Sequence, residues 1–308
     1  MLRGTEPSES EGLVMKIHIV DQEFLSSPHV IASFLIEGED GLLLIETGPA
    51  SVRATLERKV EALGFELEQV KHVLVTHIHL DHSGGAGYWA QRGSQIYVHE
   101  RGARHLIDPE KLLVSAGRIY LERMDELWGT TIAAPEERVT IFAEGTKNLC
   151  GLEVTALDTP GHARHHLAYQ INDAIFTGDV AGCCLPGCDF PSVPGPPPEF
   201  DRETWKKSLD KLRQAGPSTL YLTHFGQVDN PKRYLDALEQ RLEDCVKFVE
   251  DRENLSMEEL QKAYSDWDRQ QAAKWNVSDE EYARYDKANP SFMSAQGIRR
   301  YVHQMQST

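Results

Sequence analysis

The stretch VTHIHLDHSGG, residues 75–85, places His77, His79, Asp81 and His82 within six consecutive positions. Three imidazoles and a carboxylate are costly to bury together unless something binds them. Along an extended or turning segment, residues two apart project the same way. His77 and His79 therefore reach one point, and Asp81 and His82 reach a second point nearby. Neutral imidazole and carboxylate are good ligands for zinc and for related divalent transition metals. Four side chains cannot complete two coordination shells, so the motif calls for partners elsewhere in the chain.

The surrounding pattern supplies them. HVLVT, residues 72–76, reads as a strand, which puts the motif just past its C-terminal end. Further on, TPGH delivers His162 after a strand ending near Asp158. FTGD delivers Asp179 after a strand at 174–177, and LTH delivers His224 after a strand at 219–222. Residues that follow strands converge on one edge of a sheet, so all seven are candidates for one site.

The set THIHLDH, TPGH, TGD and LTH resembles the metallo-β-lactamase-fold hydrolase superfamily, over about residues 16–225 and in that family's order. The resemblance implies an α/β fold, an αββα sandwich, carrying two divalent transition-metal ions. Zinc is the expected ion, with iron or manganese as alternatives. By motif position, His77, His79 and His162 would bind one ion, Asp81, His82 and His224 the other, and Asp179 would bridge them. A water between two such ions becomes hydroxide near neutral pH. Asp81 would orient it or carry its proton, as the catalytic carboxylate. No separate Ser or Cys nucleophile is required.

One position departs from the family pattern. The strand GLLLIE closes as LIETG, where the family shows LIDTG, so Glu46 replaces the Asp that supports the ligands from behind. His166 is a further candidate for that supporting layer, because a second His follows TPGH in the family at this offset. His165 is intermediate. The remaining imidazoles, His99 and His105 among them, read as surface or hydrogen-bonded core residues.

Composition narrows the class. The 308 residues carry a formal net charge of -16, which repels phosphate backbones and argues against nucleic acid as a partner. No stretch approaches the length of a membrane span. Residues 1–14 read as a polar tail without the apolar core of a secretory signal. The five cysteines, an odd number in a large chain, fit a reducing cytoplasm better than a disulfide framework. Cys183, Cys184 and Cys188 read as small apolar residues beside the site. The Pro-rich run 191–198 is expected near the metal edge as a semi-rigid pocket wall, with Phe190 and Phe200 shaping substrate preference.

Two units follow: a catalytic domain over 15–230 and a helical C-terminal extension over 231–308. In the extension, Leu235, Leu238, Leu242, Cys245, Val246 and Val249 make one apolar stripe that must be buried. It would close on the chain's own core, as a pocket wall or on the outer face, or make a homodimer. The function expected is hydrolysis of a small-molecule carbonyl substrate, an ester, thioester or lactone, in the glyoxalase II-like or lactonase-like subgroup. Two rivals remain: an iron-dependent persulfide dioxygenase, and a metal-bound scaffold without catalysis.

Overall fold

In the computed structural model, which describes residues 15–306, two six-stranded sheets lie face to face with helices outside each. The first sheet runs in chain order: β1 (Ile17–Asp21), β2 (Ala32–Glu37), β3 (Leu42–Ile45), β4 (Val70–Leu74), β5 (Gln95–Val98) and β6 (Val139–Ile141). The second contains β7 (Gly145–Leu149), β8 (Leu152–Asp158), β9 (Leu167–Ile171), β10 (Ala174–Cys183), β11 (Thr219–His224) and β12 (Gly226–Val228). Residues 1–14, read above as a polar tail, lie outside the described residues.

Helices α1 (Arg53–Ala62), α2 (Leu80–Ser83), α3 (Ala86–Gln91), α4 (Glu100–Ile107), α5 (Glu110–Tyr120) and α6 (Met124–Trp128) accompany the first sheet. Helix α7 (Arg202–Ala215) belongs to the second. The chain then becomes entirely helical, through α8 (Pro231–Glu250), α9 (Met257–Ala273), α10 (Asp279–Ala288) and α11 (Ser291–Gln306). None of these helices is long and apolar enough to cross a membrane.

The continuous apolar strands are explained by burial on both faces. Phe34, Ile36, Leu43 and Ile45 point between the sheets, against Val154, Ala156, Leu167 and Tyr169. Their neighbours Leu35, Leu42 and Leu44 point outward, beneath Leu56 and Val60 of α1 and Trp89 of α3. On the far side, Ile175, Leu220 and Leu222 pack against Trp205, Leu209 and Leu212 of α7. That is an αββα sandwich.

The C-terminal stripe is buried as its spacing requires. Leu235, Leu238, Leu242, Cys245, Val246 and Val249 join the same cluster as α7 and the second sheet, with Ile298, Tyr301 and Val302 of α11 beside them. Helices α8 and α9 are clamped by the buried ion pair of Arg241 and Asp268. Asp268 also accepts from the Tyr282 hydroxyl of α10 at 2.9 Å. The Arg241 guanidinium stacks 4.3 Å from the Trp267 ring.

The Ser51 hydroxyl donates to the Leu127 carbonyl at 2.6 Å, tying the start of α1 to α6. One local detail differs from the sequence reading. Strand β10 runs on through Asp179 to Cys183 instead of stopping at Thr177, and its register against β11 shifts on either side of Gly178.

Candidate metal centre

Strand β4 runs parallel to β3 and β5, and the backbone turns into α2 just past its end. This turn carries His77, His79, Asp81 and His82. His162 comes from the loop after β8, Asp179 from β10, and His224 from the last residue of β11. The two sheets thus deliver all seven candidate residues to one edge, and five of them are buried, with His79 and Asp81 partly exposed.

They fall into two groups. The His77 Nε2 and His162 Nε2 atoms lie 2.9 and 3.0 Å from His79 Nδ1. Asp81, His82 and His224 form the second group, with His224 Nε2 3.4 Å and His82 Nε2 3.6 Å from Asp81 Oδ2. Asp179 stands between them. Its Oδ2 lies 3.3 Å from His162 Nε2, while its Oδ1 lies 3.2 Å from His82 Nε2 and 3.4 Å from His224 Nε2. Three overlapping triads of donor atoms have the compactness needed to hold an ion.

The surrounding hydrogen bonds decide which ring nitrogens face inward. The Thr76 hydroxyl donates its one proton to Glu46 Oε1 at 2.5 Å, so its oxygen accepts from His77 Nδ1 at 3.0 Å. His162 Nδ1 donates to the Pro194 carbonyl and His224 Nδ1 to the Val30 carbonyl, each at 2.8 Å. In all three rings the Nε2 lone pair is thereby left for the centre, the arrangement that second-layer contacts impose on metal-binding histidines.

Glu46, despite its extra methylene, reaches this layer. It is fully buried, with Oε1 3.3 Å from His82 Nδ1 and 3.5 Å from the Thr223 hydroxyl. His166 sits behind Asp179. Its Nε2 accepts the Asp179 amide at 3.1 Å, and its Nδ1 donates to the Thr159 hydroxyl at 2.9 Å. Both nitrogens are used, so His166 anchors the Asp179 backbone instead of facing the centre. Gly178 makes room for this. Its φ is +51°, and an added Cβ would lie 2.4 Å from Thr76 Oγ1 and 2.7 Å from His166 Nε2.

Electrostatics separate the two groups. Burial pushes the His77 ring well below the usual imidazole range and His79 down to about 3, so both are neutral donors. Burial also opposes charge on Asp179, but His82, His162 and His224 outweigh it and hold its carboxyl well below the usual range. His82 goes the other way. Burial lowers it, yet Asp179, Asp81 and Glu46 together raise it well above the ordinary value. Positive charge is favoured at that point. His82 Nε2, His224 Nε2 and Asp179 Oδ1 are also buried without a hydrogen-bond partner among the described residues. Three such orphaned atoms aimed at one spot are what a bound cation relieves. The donor set therefore fits divalent metal ions.

Two cavities meet at this centre. One, of about 410 Å³, includes His79, Asp81, His162 and Asp179 in its wall. The other, of about 430 Å³, includes Asp81 and His224. Pro194, Pro196, Pro197 and Pro198 line the first, as the Pro-rich run foretold. Phe190 and Phe200 do not. They are buried in the core against Tyr285 and Trp205. The junction of α10 and α11 reaches the first cavity through Ala288, Asn289, Pro290 and Met293. The C-terminal extension thus supplies pocket wall with one segment, packs α8 and α11 against the second sheet, and adds Ala272, Tyr282 and Tyr285 to the cluster between the sheets.

Sequence reasoning missed other residues there. His105, read as a surface or core imidazole, lines the first cavity, and so does His165, whose Nε2 lies 3.4 Å from Glu199 Oε2. Tyr120 and Trp128 line both cavities. A stripe on α5 could have pointed to Tyr120, but not to Trp128, which ends α6. Cys183 and Cys184 are buried and line neither cavity, and all five cysteines are unpaired.

The chain resembles known proteins over most of its length. The metallo-beta-lactamase fold-containing protein ST1585 of Sulfurisphaera tokodaii is 25% identical over 73% of this chain and 84% of its own. The crystal structure titled as ST1585 from Sulfolobus tokodaii superposes with a TM-score of 0.68 over 92% of this chain and 98% of that one, at 20% identity. An atrochrysone carboxyl ACP thioesterase of Aspergillus fumigatus is 27% identical over 61% of this chain, but only 48% of its own length is spanned. A hydroxyacylglutathione hydrolase of Shewanella pealeana is 30% identical over 36% of this chain and 34% of its own. The model of the metallo-beta-lactamase superfamily matches residues 27–224, more than half of the 308, and the chain belongs to that superfamily.

Proposed function

We propose that this protein is a binuclear metallo-hydrolase that cleaves a carbonyl substrate, with a thioester first and an ester or lactone next. His77, His79 and His162 would hold one divalent ion, Asp81, His82 and His224 the other, and Asp179 would contact both. Zinc is the ion of choice, and iron or manganese suits the same donors. The observation that carries the reading is Asp179, which turns Oδ2 to His162 and Oδ1 to His82 and His224. When bound, the ions would supply Lewis acidity and a water acidic enough to react near neutral pH.

The chain's own residues do the rest. Asp81 is the one member of the seven that lines both cavities, so it meets substrate from either side. Its partly exposed carboxylate is placed to take a proton from the attacking water and return it to the leaving group. His77 and the Glu46–Thr76 pair hold their geometry without a proton to give, because each donor is already committed.

The preference for thioesters draws on two relatives, one named a thioesterase and one a hydroxyacylglutathione hydrolase. The test is a panel of thioesters, esters, lactones and phosphodiesters, with an oxygen electrode run beside it on a persulfide. Carbonyl hydrolysis that chelator abolishes and added zinc restores is the expected result. Oxygen uptake with the persulfide and no carbonyl turnover would overturn it.

A further inference from the structure

The centre opens unequally. Beside His79 and His162, the cavity of about 410 Å³ has helix α5 along it. Leu112, Ser115, Ala116 and Ile119 line it, and their spacing puts them on one face of that helix. From Leu112 to Ile119 the helix rises about 10 Å. Pro197 and Met293 add apolar surface elsewhere in the wall. At the C-terminal end of α5, Tyr120 shares the lining with Asp81. At its start, Lys111 and the nearby His105 bring the polar groups. His165 and Glu199, which also line the space, face each other at 3.4 Å and are partly spent on that contact.

We propose that this cavity is an acyl-binding site: an unbranched apolar acyl group lies along α5, its carbonyl at the Asp81 end. Leu112, Ser115, Ala116 and Ile119 then set the chain length accepted. This deepens the hydrolase reading and rests on it for the position of the carbonyl. The volume falls within the range of small-molecule sites, and the lining is mostly apolar along α5 with charged groups towards either end of that helix, which suits an extended hydrocarbon better than a compact polar acid. Water leaves both surfaces when such a chain binds, so each added methylene that contacts α5 should raise kcat/KM about fourfold. The gain should stop once the helix face is covered.

Straight-chain acyl thioesters from acetyl to dodecanoyl, on one common thiol, test this with the zinc-loaded protein. Calorimetric titration with the matching free carboxylates reads binding without turnover. The expected result is a rise with chain length, then a plateau, in both measurements. Ser115 is exposed at the helix surface, so Ser115→Trp fills the space with little threat to folding. It should erase the advantage of the longer chains in both measurements. Ala116→Phe should act likewise from a buried position, with thermal melting as its folding control. A flat or falling chain-length profile, or variants that keep the long-chain preference, would overturn the proposal. If longer carboxylates bind more tightly but no thioester, ester or lactone is hydrolysed, the hydrolase reading fails and the acyl site stands.

Discussion

Thr76 is a small residue on which much of the centre depends. Its hydroxyl donates to Glu46 Oε1 at 2.5 Å and accepts from His77 Nδ1 at 3.0 Å. Thr76→Val keeps the side chain's shape and removes both contacts. Two losses follow. Glu46 is fully buried, its Oε2 already lacks a partner, and Oε1 would keep only the 3.5 Å contact from Thr223 and His82 Nδ1 at 3.3 Å. A hydrogen bond to a charged group contributes about 1.5–3 kcal/mol. A loss near 2 kcal/mol should lower the melting temperature of the metal-free protein by about 4–8 °C. His77, in turn, loses the contact that keeps its proton on Nδ1. Supports of this kind change metal affinity about 10–100-fold. Competition with a chromophoric chelator measures that affinity, and differential scanning calorimetry the stability. Thr76→Ser keeps the hydroxyl and should stay within about threefold of wild-type affinity, by the same reasoning. Wild-type affinity in Thr76→Val, or equal impairment in Thr76→Ser, would refute the relay from Glu46 through Thr76 to His77.

Gly178→Ala should be more damaging than its size suggests, because the new methyl would meet Thr76 and His166 where φ is already +51°. Loss of bound metal in a chain with wild-type far-ultraviolet circular dichroism is expected, and retained metal would contradict it. Asp268→Ala leaves the buried Arg241 unpaired and should cost about 3–5 kcal/mol in urea unfolding, a cost that Arg241→Met with Asp268→Leu should largely recover. Deleting the chain after Arg252 removes Ala272, Tyr282, Tyr285, Ile298 and Val302 from the packed clusters, so cooperative unfolding should disappear. A sharp melting transition in that fragment would show that the last three helices are dispensable.

The seven candidate residues were legible because chemistry and spacing agree: each motif closes a strand whose apolar run is plain. The convergence of seven side chains at one edge needs only that those strands share two sheets. The supports were harder to read. Glu46 shows in the sequence as a departure, but whether a longer side chain reaches the site depends on backbone placement, here a positive φ of 66°. Four short strands carry weak local signals. β7 is exposed over most of its length and polar, so it has no alternating pattern, and β12 has only three residues. β5 and β6 are also brief and are recognised by their parallel neighbours. The cavity was the least legible part. His105, Tyr120 and Met293 come from α4, α5 and α11, and nothing local says that those helices meet. Phe190 and Phe200 illustrate the converse: closeness in sequence to the Pro-rich wall suggested a place at the pocket, and both side chains lie in the core.

The central claim is that one chain holds two metal ions with Asp179 between them. Metal analysis of the protein purified without chelator and then saturated with zinc tests it most directly, run beside Asp179→Ala. The account expects close to two ions per chain in the wild type, by the two groups of donors that converge there, and about one in the variant. A reproducible single ion per wild-type chain at saturation, or two ions retained in Asp179→Ala, would contradict it.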